Sequence, residues 1–182
     1  MPFSTMIRIA NRQSRMGPAD RRSASLPEIL DELLGIAQHA DAYEIDVETF
    51  DYEGRPTLSV YDNGSGIDSP RGLLALDAVG WRETVSESGN ANSLALSSLA
   101  GRHTIIRSGP DETEPGWSVT IPPDAWHGEA PITIEPDTGL RGTNIMVEIP
   151  VEWRVGLEEA VAAATRDLPV RVYFHARWKN RP

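Results

Sequence analysis

Residues 60–67 read Val60-Tyr61-Asp62-Asn63-Gly64-Ser65-Gly66-Ile67. They set one carboxylate and two glycines at a spacing that can do chemistry. They follow an alternating run, Thr57-Leu58-Ser59-Val60-Tyr61, in which Leu58 and Val60 share a face, the period of a half-buried strand. The strand therefore ends on an acid. An ionised carboxylate buried there can only accept hydrogen bonds, so it needs N–H donors. Gly64 and Gly66 can take positive φ and let another group come close to the main chain before the apolar Ile67. A buried acceptor beside bare backbone suits a flat ligand that offers an amino group, such as adenine. The same residues also spell a turn, because Asp-Asn-Gly is a strong turn signal. The motif alone leaves both readings open.

The elements that must position it follow from periodicity and punctuation. A short alternating run, Ile7-Arg8-Ile9-Ala10, predicts an edge strand, and residues 11–24, with four arginines, a polar loop. Ser25-Leu26-Pro27-Glu28 is a helix start: Ser25 can cap, Glu28 holds the capping-box position, and Pro27 fits the first turn. Ile29, Leu33, Ile36 and Ala40 then recur at helical spacing, with Glu32 at the edge of their face. Residues 44–50 alternate, with Ile45 and Val47 inward and Glu44, Asp46 and Glu48 outward. A turn over 51–56 joins them to the 57–61 strand as a hairpin. A second helix is expected over 70–79, stopped by Gly80, then a loop over 81–92 and a third helix over 93–100, capped by Asn92 and ended by Gly101. Strands are expected over 103–107, 117–121, 131–135 and 143–149, divided by clusters of Pro, Gly and Asp. A helix over 154–166 and a strand over 171–174 close the chain. Helices among a run of neighbouring strands predict an α+β fold, with helices layered on one face of a mixed, mainly antiparallel sheet.

The totals bound the function. At 182 residues, one domain over 1–182 is the expectation, with 1–24 as N-terminal strand and loop and 151–182 as C-terminal helix and strand. The chain has no cysteine, which excludes disulfides, thiolate catalysis and cysteine-based metal sites. Its four histidines, His39, His103, His127 and His175, have no metal-ligand spacing. A net charge of −10 opposes phosphate backbones and argues against direct nucleic-acid binding. No apolar run approaches the ~18 residues that a membrane span needs. The first residues, Met1-Pro2-Phe3-Ser4-Thr5-Met6, lack the charged-then-apolar order of a signal peptide, which points to the cytoplasm. The five tryptophans are scattered and read as packing residues.

Four blocks in this order resemble the GHKL ATPase superfamily, whose members include MutL-type repair proteins, type II topoisomerase subunits, heat-shock chaperones and histidine kinases. Together they span most of residues 25–150. Residues 31–47, Asp31-Glu32-Leu33-Leu34-Gly35-Ile36-Ala37-Gln38-His39-Ala40-Asp41-Ala42-Tyr43-Glu44-Ile45-Asp46-Val47, align without a gap to the family helix that carries a general base and a magnesium-holding asparagine. Glu32 falls on the base and Ile36 on the asparagine. Asp62-Asn63-Gly64-Ser65-Gly66-Ile67 matches the adenine box. Gly89-Asn90-Ala91-Asn92-Ser93-Leu94-Ala95-Leu96-Ser97 resembles a MutL-like phosphate-binding lid, with Asn92 in place of its second glycine. Gly142-Thr143 resembles the family's Gly-Thr box.

The resemblance implies a Bergerat-type α/β sandwich that binds ATP or ADP. Asp62 would take the adenine amino group, with Gly64, Gly66 and Ile67 against the base. Thr143 would touch adenine directly or through water, and Gly89, Asn92, Ser93 and Leu94 would lie at the phosphates. Glu32 would activate the attacking water. Ile36 offers no oxygen to Mg²⁺, which demands oxygen ligands, so the resemblance implies weak hydrolysis or none. The implied function is a nucleotide-gated switch acting on a protein partner or a second copy of itself. The alternatives are a nucleotide-dead interaction module on the same fold, or an N-terminal fragment of a MutL- or topoisomerase-like ATPase.

Overall fold

Helix α1, Leu26–His39, buries Ile29, Leu30, Leu33, Leu34, Ile36 and Ala37. That stripe is the one the 3.6-residue period marks. Its start is closed as the sequence predicts: Glu28 Oε2 accepts from both the backbone N–H and the hydroxyl of Ser25, each at 2.7 Å. In this computed structural model residues 4–9, 23–70, 96–128 and 130–177 are described. The expected helix over 70–79 and loop over 81–92 lie essentially outside them.

Among the described residues eight strands form one sheet: β1 Thr5–Ile7, β2 Glu44–Tyr52, β3 Arg55–Asp62, β4 Thr104–Gly109, β5 Gly116–Ile121, β6 Ile132–Asp137, β7 Gly142–Glu148 and β8 Arg171–Arg177. Their order is β1-β6-β5-β4-β7-β3-β2-β8. Every neighbouring pair is antiparallel except β2 and β8, which run parallel. A second helix, α2 (Leu157–Thr165), packs on α1 and buries Leu157 and Val161.

One sheet face carries the core in rungs. Val47, Val60, Ile145, Ile106, Val119 and Ile134 pair in a line across six strands. The next rung runs Thr49, Leu58, Val147, Thr104 and Ile121. The apolar members of both rungs and the buried stripes of α1 and α2 belong to a single apolar cluster, so both helices cover the same face. The α+β layering expected from the sequence is therefore present. The opposite face carries charge: Arg171 pairs with Glu44 at 3.6 Å and Arg177 with Glu48 at 2.8 Å across β2 and β8. Among the described residues no helix is long and apolar enough to cross a membrane.

Several boundaries move, each for a physical reason. The edge strand is Thr5–Ile7 rather than 7–10, because its antiparallel partner β6 begins at Ile132, which already faces Ile7. The turn expected over 51–56 shrinks to Glu53-Gly54, both at positive φ (51° and 81°), while Asp51 and Pro56 face each other in register. Pro56 needs no N–H there; its carbonyl accepts from Ile149 N at 2.9 Å. The helix expected over 93–100 is a 3-10 turn, Ser97–Leu99, over its described end, and Gly101 at φ +79° ends it. The helix expected from 154 starts at 157, because Gly156 sits at φ +83° and separates it from a 3-10 turn, Val151–Arg154.

Candidate functional site

Beyond the two apolar rungs, the core face ends in a polar one. Ile45, Asp62, Thr143, Ser108 and Trp117 are successive partners across β2, β3, β7, β4 and β5. All five are buried; Asp62 is 3 % exposed, Thr143 1 % and Ser108 1 %. Asp62 shares the face of Leu58 and Val60 because a strand alternates with period two. Alternation thus carries the carboxylate into the end of the core rather than into solvent. Its Oδ1 accepts from Gly64 N at 2.9 Å. Burial pushes its carboxyl up from an ordinary 3.8 to about 6, and the N–H groups of Gly64 and Thr143 pull against that rise. Two donors occupy about half the acceptor capacity of a carboxylate, which has roughly four lone-pair sites. The group stays short of compensation and can take a further donor.

The loop after Asp62 is fastened on three sides. Asn63 Oδ1 accepts from Tyr43 N (3.2 Å) and Glu44 N (3.1 Å) at the start of β2. Ser65 N donates to Ala40 O at 2.9 Å, which holds the loop beneath the end of α1. Ile67 N donates to Ser108 Oγ at 2.7 Å, and Ile67 O accepts from Trp117 Nε1 at 2.7 Å. The chain's own packing requires both glycines. A Cβ on Gly64 would lie 2.6 Å from Ala40 Cβ, and one on Gly66, at φ +74°, would lie 2.5 Å from Gly109 O. Thr143 Oγ1 lies 3.1 Å from Ser108 Oγ.

Asp62, Gly64, Gly66, Ile67 and Thr143, predicted from the sequence, are thus brought together. Glu32, on α1, is half-buried, and its Oε2 accepts from Ser98 N at 2.9 Å, at the turn that follows the predicted lid. Ile36 is 2 % exposed and sits in the apolar cluster. The position aligned with a metal-holding asparagine is therefore filled by hydrocarbon. Among the described residues no group of three or more His, Asp or Glu side chains could hold a metal ion. Gly89, Asn92, Ser93 and Leu94 lie outside the described residues. Ser108 and Trp117 are functional candidates that the sequence reading missed. The scatter of the tryptophans marks Trp117 only as a packing residue, and a lone serine before a Gly-Pro turn carries no signal of its own.

This arrangement presents a buried acceptor to a group that carries an N–H donor, beside a main-chain segment held at fixed distance. Glu32, on α1, reaches the 3-10 turn Ser97–Leu99 through Ser98 N.

No family model and no curated protein matches the chain. Among solved structures the fold is similar to that of the N-terminal domain of a DNA repair protein, with TM-score 0.59 and 16 % identity over 87 % of this chain and 50 % of that one. It is also similar to the Aquifex aeolicus MutL ATPase domain complexed with ADP, with TM-score 0.54 and 18 % identity over 84 % of this chain and 60 % of that one. At such identities the likeness is one of fold: a MutL-like, GHKL-like sandwich. The chain spans about half to three-fifths of the length of those two structures.

Proposed function

We propose that this chain is an adenine-nucleotide-binding domain of GHKL type that works as a nucleotide-gated switch, with weak ATP hydrolysis or none. The observation that carries the proposal is Asp62, a carboxylate 3 % exposed and held in an ionisation state that its surroundings only partly support. Buried groups with strongly shifted pKa values cluster at functional sites. In this reading Asp62 accepts from the exocyclic amino group of adenine, Thr143 assists, and the Gly64–Ile67 backbone lies along the ring. Gly89, Asn92, Ser93 and Leu94 hold the phosphates. Ordering of the lid then biases a protein partner or a second copy of the chain. The ADP bound to the similar MutL domain supports the ligand class.

In this reading Glu32 activates the attacking water, and Ile36 is the reason that turnover is weak. Charge neutralisation by Mg²⁺ is central to phosphoryl transfer, and an isoleucine in the apolar cluster offers no ligand. Titration calorimetry with ATP, ADP and AMP-PNP, with and without Mg²⁺, tests the proposal. Binding with little dependence on Mg²⁺ is the expected result. No heat at millimolar ligand would instead favour the second reading, a nucleotide-dead interaction module, which the same Ile36 motivates.

A further inference from the structure

We propose that Ser108 and Trp117 are positioning residues of the nucleotide site, forming a two-point clamp that fixes the Gly66–Ile67 backbone against which the base lies. This rests on the nucleotide reading above and adds to it the residues that set base selectivity.

The clamp is built from one rung. Ser108 and Trp117 are direct cross-strand partners on β4 and β5, and both point into the core face beside Thr143. They take the two backbone groups of one residue. The Ser108 hydroxyl accepts from Ile67 N at 2.7 Å, and the Trp117 indole donates to Ile67 O at 2.7 Å. Ile67 belongs to a loop, so it has no strand neighbour to satisfy those groups; two side chains substitute for the ladder. The two bonds hold the peptide units on either side of the Ile67 Cα, one by its N–H and the next by its C=O, so neither is free to rotate.

Ser108 also reaches the other half of the site. Its oxygen lies 3.2 Å from Gly142 O and 3.1 Å from Thr143 Oγ1. A hydroxyl has one proton to give. While it accepts from Ile67, it can donate to the Gly142 carbonyl or to the Thr143 hydroxyl. The loop after Asp62 and the strand bearing Thr143 are therefore tied through a single oxygen. A base that lies between Asp62 and the Gly66–Ile67 wall would be measured by the distance this tie sets.

Ser108→Ala removes one tether. Trp117→Phe removes the other and keeps the aromatic packing, so it serves where the first variant folds poorly. Both are titrated with ADP and with GDP, which places an oxygen where adenine carries its amino group. The wild-type chain is expected to prefer ADP. Each variant is expected to lose about tenfold in ADP affinity, equivalent to about 1.4 kcal/mol, and most of its preference over GDP. General destabilisation would weaken both ligands alike and leave their ratio unchanged. A wild-type chain that binds ADP, with variants of unchanged ratio, overturns the clamp alone. A wild-type chain that binds no ADP overturns the clamp's role together with the nucleotide reading.

Discussion

Replacing Asp62 by asparagine should make the ligand-free protein more stable at neutral pH and at the same time abolish nucleotide binding. The magnitude follows from the carboxyl's surroundings. Burial raises its pKa from 3.8 to about 6, and each pH unit is worth 1.36 kcal/mol, so ionised Asp62 costs the fold on the order of 3 kcal/mol. Asparagine carries no charge to desolvate. It keeps one carbonyl oxygen for the Gly64 and Thr143 N–H groups where the carboxylate has two, which trims the expected gain to about 1–2 kcal/mol. The pH dependence is the signature. The folded chain binds the proton more tightly than the unfolded one, so wild-type stability is greatest below 3.8 on account of this group and falls as pH rises through about 6. Asp62→Asn lacks that fall. Urea denaturation from pH 4 to 8 should therefore show two curves that separate as pH rises and reach their full difference near neutrality. A variant less stable than wild type at pH 7.5, or a difference independent of pH, would refute the reasoning.

Other expectations follow from the same geometry. ADP affinity should weaken about tenfold between pH 7.5 and pH 5, since protonated Asp62 loses acceptor capacity below its pKa of about 6; calorimetry at the two pH values reads it. Gly66→Ala should cost about 2–4 kcal/mol in chemical denaturation, because the residue sits at φ +74° and a Cβ would meet Gly109 O at 2.5 Å. Ile36→Asn should introduce Mg²⁺-dependent ATP turnover that Glu32→Ala removes. It should also cost about 3–5 kcal/mol of stability by placing an amide in the apolar cluster. Hydrogen exchange over residues 81–92 should slow with ATP; equal protection with and without nucleotide would remove the switch.

Local signals in the sequence carry α1 and the β2–β3 hairpin. The Ser25–Glu28 box lies within one turn of chain and the Ile29-Leu33-Ile36 spacing within about two, and the alternation of Ile45-Val47 and Leu58-Val60 names their inward face. Turn length was less legible. Gly54 and Pro56 both signal a break, yet Pro56 can sit in a strand because no N–H is asked of it. The parallel pairing of β8 with β2 was not legible either, since it joins residues more than a hundred positions apart. The site divides the same way. Asp62 and its glycines announce themselves within seven residues, and Thr143 came through resemblance. Ser108 and Trp117 enter only through the register of β4 against β5 and β7, and register is a property of the assembled sheet.

The nucleotide reading rests on a single contact at Asp62, and a crystal structure of the chain with ADP measures it directly. The adenine amino nitrogen is expected about 3 Å from a carboxylate oxygen of Asp62, with the Gly66–Ile67 backbone along the ring. ADP bound elsewhere, or Asp62 bonded only to Gly64 and Thr143 with no ligand atom in reach, would contradict it.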